Sequence, residues 1–323
     1  MNPKYPVYII SKGRSDTMYT SRSLARMRVP HSICVEPQDM DDYQAALDKF
    51  NTRPYVTLLE APFSNHGDGP GRARNWCWDH SISIGAEKHW VMDDNIQDFY
   101  RLHQNKRYRV ESGACFKIME DFVGRYKNVP LAGPQYRFFC ASSASYPAFT
   151  FNTRIYSCSF IHNQSPHRWR GRYNEDTIMT LDVIKAGLCT IQFNAFLQGK
   201  VATQTMSGGN TEEFYHKELG FDAETGEAIQ AEEVLDVKDR YNIEGTKAKS
   251  QMLVDLFPED AELVFRYGRW HHHVHYEKYS SNRLQFRDDF VMPSGTNNYG
   301  MQLKKYTKEE VKKLYHYWGR PSR

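Results

Sequence analysis

The chain has 323 residues, with 42 Lys and Arg against 39 Asp and Glu and a formal net charge of +3. That length suits one large α/β domain with an appendage. So small a net charge excludes nucleic-acid contact over the whole surface, and any such role needs local basic patches.

In chain order, Tyr5 to Ile10 (YPVYII) reads as a strand, and Ser11-Lys12-Gly13-Arg14-Ser15-Asp16 as a polar turn. A helix follows from about Thr17 to Met27, with Asp16 as its expected cap. His31 to Glu36 is a second strand stopped by Pro37, Asp39 to Phe50 a second helix, and Tyr55 to Leu59 a third strand. Strand, helix, strand, helix, strand predicts a parallel sheet wound in the Rossmann manner. In such a fold Lys12 and Arg14 face a pyrophosphate, and Glu36 accepts hydrogen bonds from a ribose or base. For each of the three a plain surface charge is the alternative.

Residues 64 to 75 (SNHGDGPGRARN) form a glycine-rich loop that enters a helix near Arg72. Free backbone N–H groups at such a helix start hold phosphate, and Arg72, Arg74 and Asn75 stand beside them. The pattern matches neither Walker A nor the dinucleotide GxGxxG motif. The helix ends near Gly85, and His89-Trp90-Val91-Met92-Asp93-Asp94-Asn95 follows. This run is too short for a helix, and its apolar residues suit a buried strand. Two adjacent carboxylates cannot be buried unpaired. A divalent cation bridging Asp93, Asp94 or Asn95 to a substrate phosphate resolves that cost, and hard oxygen ligands suit Mg²⁺ or Mn²⁺. A solvated turn after a strand is the plain alternative.

This order of elements resembles the GT-A glycosyltransferase core. The resemblance implies a mostly parallel Rossmann-like sheet with helices on both faces, a sugar-nucleotide site, and an acidic DxD-type motif on a metal. GPGRARNWCWDHS is similar to the A-R-N helix that precedes this motif in the family. Asn95 stands where the family usually has Asp.

Phe99 to Tyr126 is rich in basic and aromatic residues and ends in a helical FKIMEDFVGRY. Leu131 to Pro134 and Phe149 to Asn152 bracket a Ser-rich loop, and Arg154 to Ile161 alternates as a strand does. The loop His167 to Tyr173 is cationic and aromatic. Its Arg168, Arg170 and Arg172 are candidate phosphate contacts around Trp169, on which a base would stack; local packing and pairing is the alternative. Asn174 then caps a helix from Glu175 to Ala186, ended by Gly187. The segment NEDTIMTLDVIKAG resembles the E-D helix behind the acceptor site of GT-A enzymes, where an acidic side chain acts as base. A sugar hydroxyl is a poor nucleophile and needs a carboxylate to take its proton. Asp176 is the expected base and Glu175 the second candidate.

Past Gln198 the α/β rhythm fades, which suggests a core over 1–200 and a C-terminal extension over 201–323 that completes the site. Loops at 207–211 and 222–231 and helices at 212–219, 232–240 and 247–256 are expected there. Val264 to Tyr276 (VFRYGRWHHHVHY) reads as a strand. Alternation puts His271, His273 and His275 on one side, a possible transition-metal set or simply an exposed aromatic strand. The GT-A resemblance implies a late His on the donor metal; His273 is the candidate, with His271, His272 and His275 as alternatives. The tail carries Lys304, Lys305, Lys308, Lys312, Lys313, Arg320 and Arg323 on a final helix.

No apolar run reaches the ~18 residues of a membrane span, and the opening lacks a signal-peptide pattern, so a cytoplasmic protein without a membrane partner is expected. Six cysteines at 34, 77, 115, 140, 158 and 189 form no CxxC pair, which fits reduced, buried thiols. PVYIISKGRSD, VMDDN and RYNEDT together resemble the phage-type TET-associated glycosyltransferases over roughly the first 200 residues. That resemblance implies transfer from a nucleotide-sugar, a UDP-sugar above all, to 5-hydroxymethylated pyrimidines in DNA. A sugar-phosphate nucleotidyltransferase and a non-catalytic sugar- or DNA-binding relic remain as alternatives.

Overall fold

Alternation along three short strands sets the architecture. In β1 (Val7–Ile10), Val7 and Ile9 enter one core and Tyr8 the other. In β2 (His31–Val35), Ile33 and Val35 oppose Cys34, and in β4 (Lys88–Asp93), Trp90 and Met92 oppose Val91. Period-two strands that are apolar on both faces need cover on both faces. One is covered by α1 (Tyr19–Arg26), α2 (Met40–Lys49) and α4 (Ala114–Val123), through Leu24, Leu47 and Phe116. The other is covered by α3 (Gly71–Ser83), α5 (Glu175–Lys185) and α6 (Thr246–Leu256), through Trp78, Ile178 and Leu253. The computed structural model describes residues 1–141, 143–201, 246–266 and 269–291, with Thr307, Glu309 and Glu310.

The remaining strands of the main sheet are β3 (Val56–Glu60), β5 (Ile96–His103), β6 (Lys106–Arg109), β7 (Leu131–Tyr136), β8 (Phe149–Phe151), β9 (Cys158–His162) and β10 (Thr190–Lys200). The order is β3-β2-β1-β4-β9-β7-β10-β5-β6, with β8 on β10. β1 to β4 are mutually parallel, β9 reverses, and β7 and β10 run with β1 again. The carboxyl ends of β1, β2, β4, β7 and β10 therefore share one rim with the residues that enter β9. β1 lies between β2 and β4, so the chain leaves it in opposite directions, and a crevice opens at that rim.

Several elements differ from the reading of the sequence. The hairpin β5–β6 and strand β10 were not foreseen. Basic residues in QDFYRLHQNKRYR mask the alternation of the hairpin, and β10 is buried on both faces along most of its length, so it shows no period. Helix α1 starts after Met18, which has φ 42° and no side-chain cap, so Asp16 is not the cap. Asn174 holds the cap position of α5 at φ 54°, but its Nδ2 donates to Lys249 O at 2.5 Å instead of closing the helix. The strand expected over 154–161 is confined to β9. The one expected over 264–276 is a hairpin of β11 (Ala261–Arg266) and β12 (Arg269–Val274). All six cysteines are free and buried. The expected elements at 207–240 and the basic tail lie outside the described residues.

Candidate active site

At the rim a cavity of about 380 Å³ is walled by the ends of β1, β2, β4 and β7, the start of α5, and Lys200. Its floor is the turn from β4 into β5. Thr20, in the first turn of α1, staples that turn. Its Oγ1 donates to Asp93 O at 2.6 Å and accepts from Ile96 N at 2.8 Å, while its own N–H reaches Asp94 O at 3.2 Å.

Asp93 sits between two cations. Arg74 Nη2 donates to its Oδ1 at 2.5 Å and Lys200 Nζ to its Oδ2 at 2.7 Å. Burial raises the Asp93 pKa, but Lys200 and Arg74 outweigh it and hold the carboxyl well below its ordinary range. Burial disfavours the Lys200 charge too, and Asp93 outweighs it, so the ammonium persists. Asp94 accepts from Arg14 Nη1 at 2.7 Å and from Ser11 Oγ at 2.7 Å. Here burial prevails over Arg14, and the Asp94 pKa is raised. Lys200 Nζ also reaches Ser157 Oγ at 2.8 Å, and that hydroxyl meets Tyr136 Oη at 2.6 Å.

Asp176 closes the cavity from the first turn of α5. Its Oδ2 accepts from Ser157 N at 3.3 Å, whereas its buried Oδ1 has no hydrogen-bond partner, Arg74 Nη2 standing 3.7 Å away. Glu175 lies 3.5 Å from the same guanidinium. Burial raises the Asp176 pKa, Arg74 opposes, Glu175 and Asp93 add to the rise, and the result is about 7. A carboxyl poised near neutrality with one open oxygen can accept a proton from a bound hydroxyl.

The fit of a divalent cation turns on which acceptors are spare. Among the described residues no three His, Cys, Asp or Glu side chains converge as a shell. Three residues of the cavity wall do carry a buried atom with no hydrogen-bond partner: Asn95 Oδ1, His272 Nδ1 and Asp176 Oδ1. These residues suit a cation such as Mg²⁺ or Mn²⁺ that takes few protein ligands and completes its shell with phosphate and water. Asp93 joins them only by releasing an oxygen from Lys200.

The expected residues divide into three groups. Lys12, Arg14, Glu36, Arg72, Asp93, Asp94, Asn95, Glu175 and Asp176 all line the cavity. Within that group Lys12 stands 3.4 Å from Glu36, which also accepts from Asn65 N at 2.9 Å, and Arg72 pairs with Asp68. Two expected donor contacts are instead built into the frame. Arg74 is 1% exposed, fixed on carboxylates and covered by the Trp169 ring 4.8 Å away. Asn75 clamps the Trp169 backbone, donating to its O at 2.8 Å and accepting from its N at 3.1 Å.

The third group lies away from the cavity or is spoken for. Trp169 is 3% exposed, so no base stacks on it. Arg168 pairs with Asp79 at 2.9 Å, and Arg170 grips both oxygens of Asp182. The Arg172 side chain is exposed, and its backbone packs on the glycine loop: Gly69, at φ +86°, would bring a Cβ within 2.5 Å of Arg172 O. His273 is exposed and edges onto His275, off the cavity. Of the four histidines at 271–275, His272 is the one in the wall, its pKa lowered by burial to about 4. Alternation places it on the Val274 side of β12, opposite His271 and His273. Lys200, Ser157, Tyr136, Tyr156 and Lys249 also line the cavity and were not foreseen. Ser157 carries φ 58°, a backbone feature that no residue pattern announces.

Among the described residues no helix is long and apolar enough to cross a membrane. The sequence model of the family described as TET-Associated Glycosyltransferase matches residues 5–209. A comparison with curated proteins finds no match. Among solved structures, the chain is similar to a mannosyltransferase from Pyrobaculum calidifontis in complex with GDP-Man and Mn²⁺. The two are 10% identical, with a TM-score of 0.43, over 64% of this chain and 59% of that one.

Proposed function

The chain belongs to the TET-associated glycosyltransferase family, and on that footing we propose that it moves a sugar from a nucleotide-sugar, a UDP-sugar in the first instance, to the hydroxymethyl group of a 5-hydroxymethylated pyrimidine in phage DNA. The observation that carries this reading is Asp176, a carboxyl of raised pKa in the wall of the same cavity as Arg14, Asp93 and Lys200, with one oxygen that accepts no hydrogen bond. One wall sets Lys12, Arg14, Arg72 and Lys200 in ion pairs that a diphosphate would have to share or displace; the other offers a base.

Asp176 takes the proton of the acceptor hydroxyl as that oxygen bonds to the anomeric carbon and the bond to the nucleoside diphosphate breaks. Arg74 fixes Asp93 and lies close to Asp176 and Glu175, so the charge balance between the walls passes through it. Lys200 and Arg14 meet the negative charge that grows on the departing group. Asn95, Asp93 and His272 are the residues that would hold a divalent cation, which when bound supplies further charge neutralisation on the diphosphate.

A donor screen tests the reading: purified protein, Mn²⁺, a panel of UDP-sugars, and hydroxymethylated or plain DNA, read by mass spectrometry of the nucleosides. One sugar added to the hydroxymethylpyrimidine, with UDP released, is expected. A product on another hydroxyl compound and none on DNA would discard the acceptor. Pyrophosphate release from a nucleoside triphosphate and a sugar phosphate would discard the reaction class.

A further inference from the structure

Tyr136 and Tyr156, in the cavity wall, begin an aromatic path that runs out to the surface. Their rings stack at 5.8 Å, Tyr136 meets Phe139 at 5.9 Å, and Phe139 meets Phe138 edge-on at 5.5 Å. Phe138 is 87% exposed and Phe139 43%. Two adjacent phenylalanines left in water beside a polar cavity need a partner to account for them. Guanidinium groups interleave with the rings. Arg154 lies 4.6 Å from the Phe139 ring and 5.3 Å from Tyr156, and Arg137 lies 4.8 Å from the Tyr100 ring while donating to its Oη. Arg107 of β6 donates to Cys140 O, which draws the β5–β6 hairpin against the same path.

Charge narrows the choice of partner. From Phe122 to Asn174 the chain contains no Asp or Glu. Among the described residues none of Arg107, Arg137 and Arg154 pairs with a carboxylate, whereas Arg168 and Arg170 both do. Stacking faces alternating with unneutralised guanidiniums suit a strand that presents flat bases and regular phosphates. A neutral glycan would use the rings and leave the charges unanswered.

We infer that the face formed by Arg137–Phe139, Arg154 and Arg107 seats the acceptor DNA strand, an inference that rests on the DNA reading above. A base next to the target stacks on Phe138 and Phe139. Phosphates lie on Arg137, Arg107 and Arg154, and the target nucleotide is turned out of its stack past Tyr136 and Tyr156 into the cavity.

The test is fluorescence anisotropy with a labelled single-stranded oligonucleotide of about 16 nucleotides, the upper end of ordinary single-strand site sizes, carrying one 5-hydroxymethylcytosine and no donor. It is run against full-length wild type, Phe138→Ala, Arg137→Ala and Arg170→Ala over a salt series, with thermal melts to confirm folding. Phe138→Ala should weaken the Kd about tenfold, the worth of one stacked base. Arg137→Ala should lower the slope of log Kd against log salt by about one. Arg170→Ala, outside the path, should bind as wild type does. If wild type binds and both Phe138→Ala and Arg137→Ala match it, the path is wrong while the DNA reading stands. Weakening by Arg170→Ala alone, or binding that ignores salt, also overturns the path. If wild type binds no oligonucleotide yet glycosylates another hydroxyl compound, the path and the DNA reading fall together.

Discussion

Asp176 works as a base only when ionised, and its carboxyl is pushed up to about 7 mainly by burial, with Arg74 opposing the rise and Glu175 and Asp93 adding to it. The sign follows directly. Below that pH the side chain is protonated and cannot take the acceptor's proton; above it the open Oδ1 is available. The free-enzyme parameter kcat/KM should therefore rise as pH climbs through about 7 and level off above it. Asp176→Asn should lose about a hundredfold or more in kcat, the ordinary worth of a general base, and lose the rise with pH. Donor affinity should change little. A pH profile that keeps its limb in Asp176→Asn would assign the base to another group, with Glu175 the next to test.

At the scale of elements, β10 shows how backbone irregularity places a functional charge. Gly199 faces Asp98 and Lys200 faces Ile96, so Gln97 is an extra residue, and the bulge accompanies the approach of Lys200 Nζ to Asp93. Gly199 leaves room for the Tyr100 ring, since a Cβ there would lie 2.9 Å from Tyr100 Cε2 and the ring would have to shift. Lys200 and a divalent cation compete for Asp93. Mn²⁺ should bind wild type weakly alone and more tightly with UDP, and Lys200→Met should bind Mn²⁺ without nucleotide on the order of ten- to a hundredfold better than wild type. Titration calorimetry or Mn²⁺ electron paramagnetic resonance reads both. Tight Mn²⁺ binding to nucleotide-free wild type would remove Lys200 from this role. Asp93 and Asp94 were legible because a short β-prone run ends in charge, and Asp176 because acids open a well-formed helix. Lys200 was not, because its partner lies 107 residues away and a strand buried on both faces hides its own end. The histidines mislead for a related reason. Counting His-x-His-x-His selects one face of β12, but packing of Val274 into the core turns the other face, with His272, inward. The acid-free run from Phe122 to Asn174 was in plain view and marks the proposed acceptor face. Its arginines differ only in whether an acid from another element reaches them, which is a tertiary fact.

For the molecule as a whole, the question is whether the chain beyond β10 is an appendage or part of the frame. Leu253, Phe257, Ala261 and Val274 share one core with Ile178, Leu181 and Ile184 of α5, the helix that carries Asp176. Lys249 and His272 reach the cavity itself, and Asn174, two residues before the proposed base, is tied to Lys249 O. Leu253 is fully buried, so Leu253→Ala should cost about 2–5 kcal/mol, lost transfer energy plus the cavity left behind. Urea unfolding should show that loss as a lower midpoint at unchanged m-value. The same variant should lower kcat more than it raises the KM for the donor, because α5 then holds its carboxylates less firmly. A chain ending at Val201 would leave the apolar side of α5 open to water, and it should aggregate or melt well below the full chain. A truncated protein that stays monomeric with the full chain's Tm would show that the segment from 246 to 291 only rests on a frame complete without it.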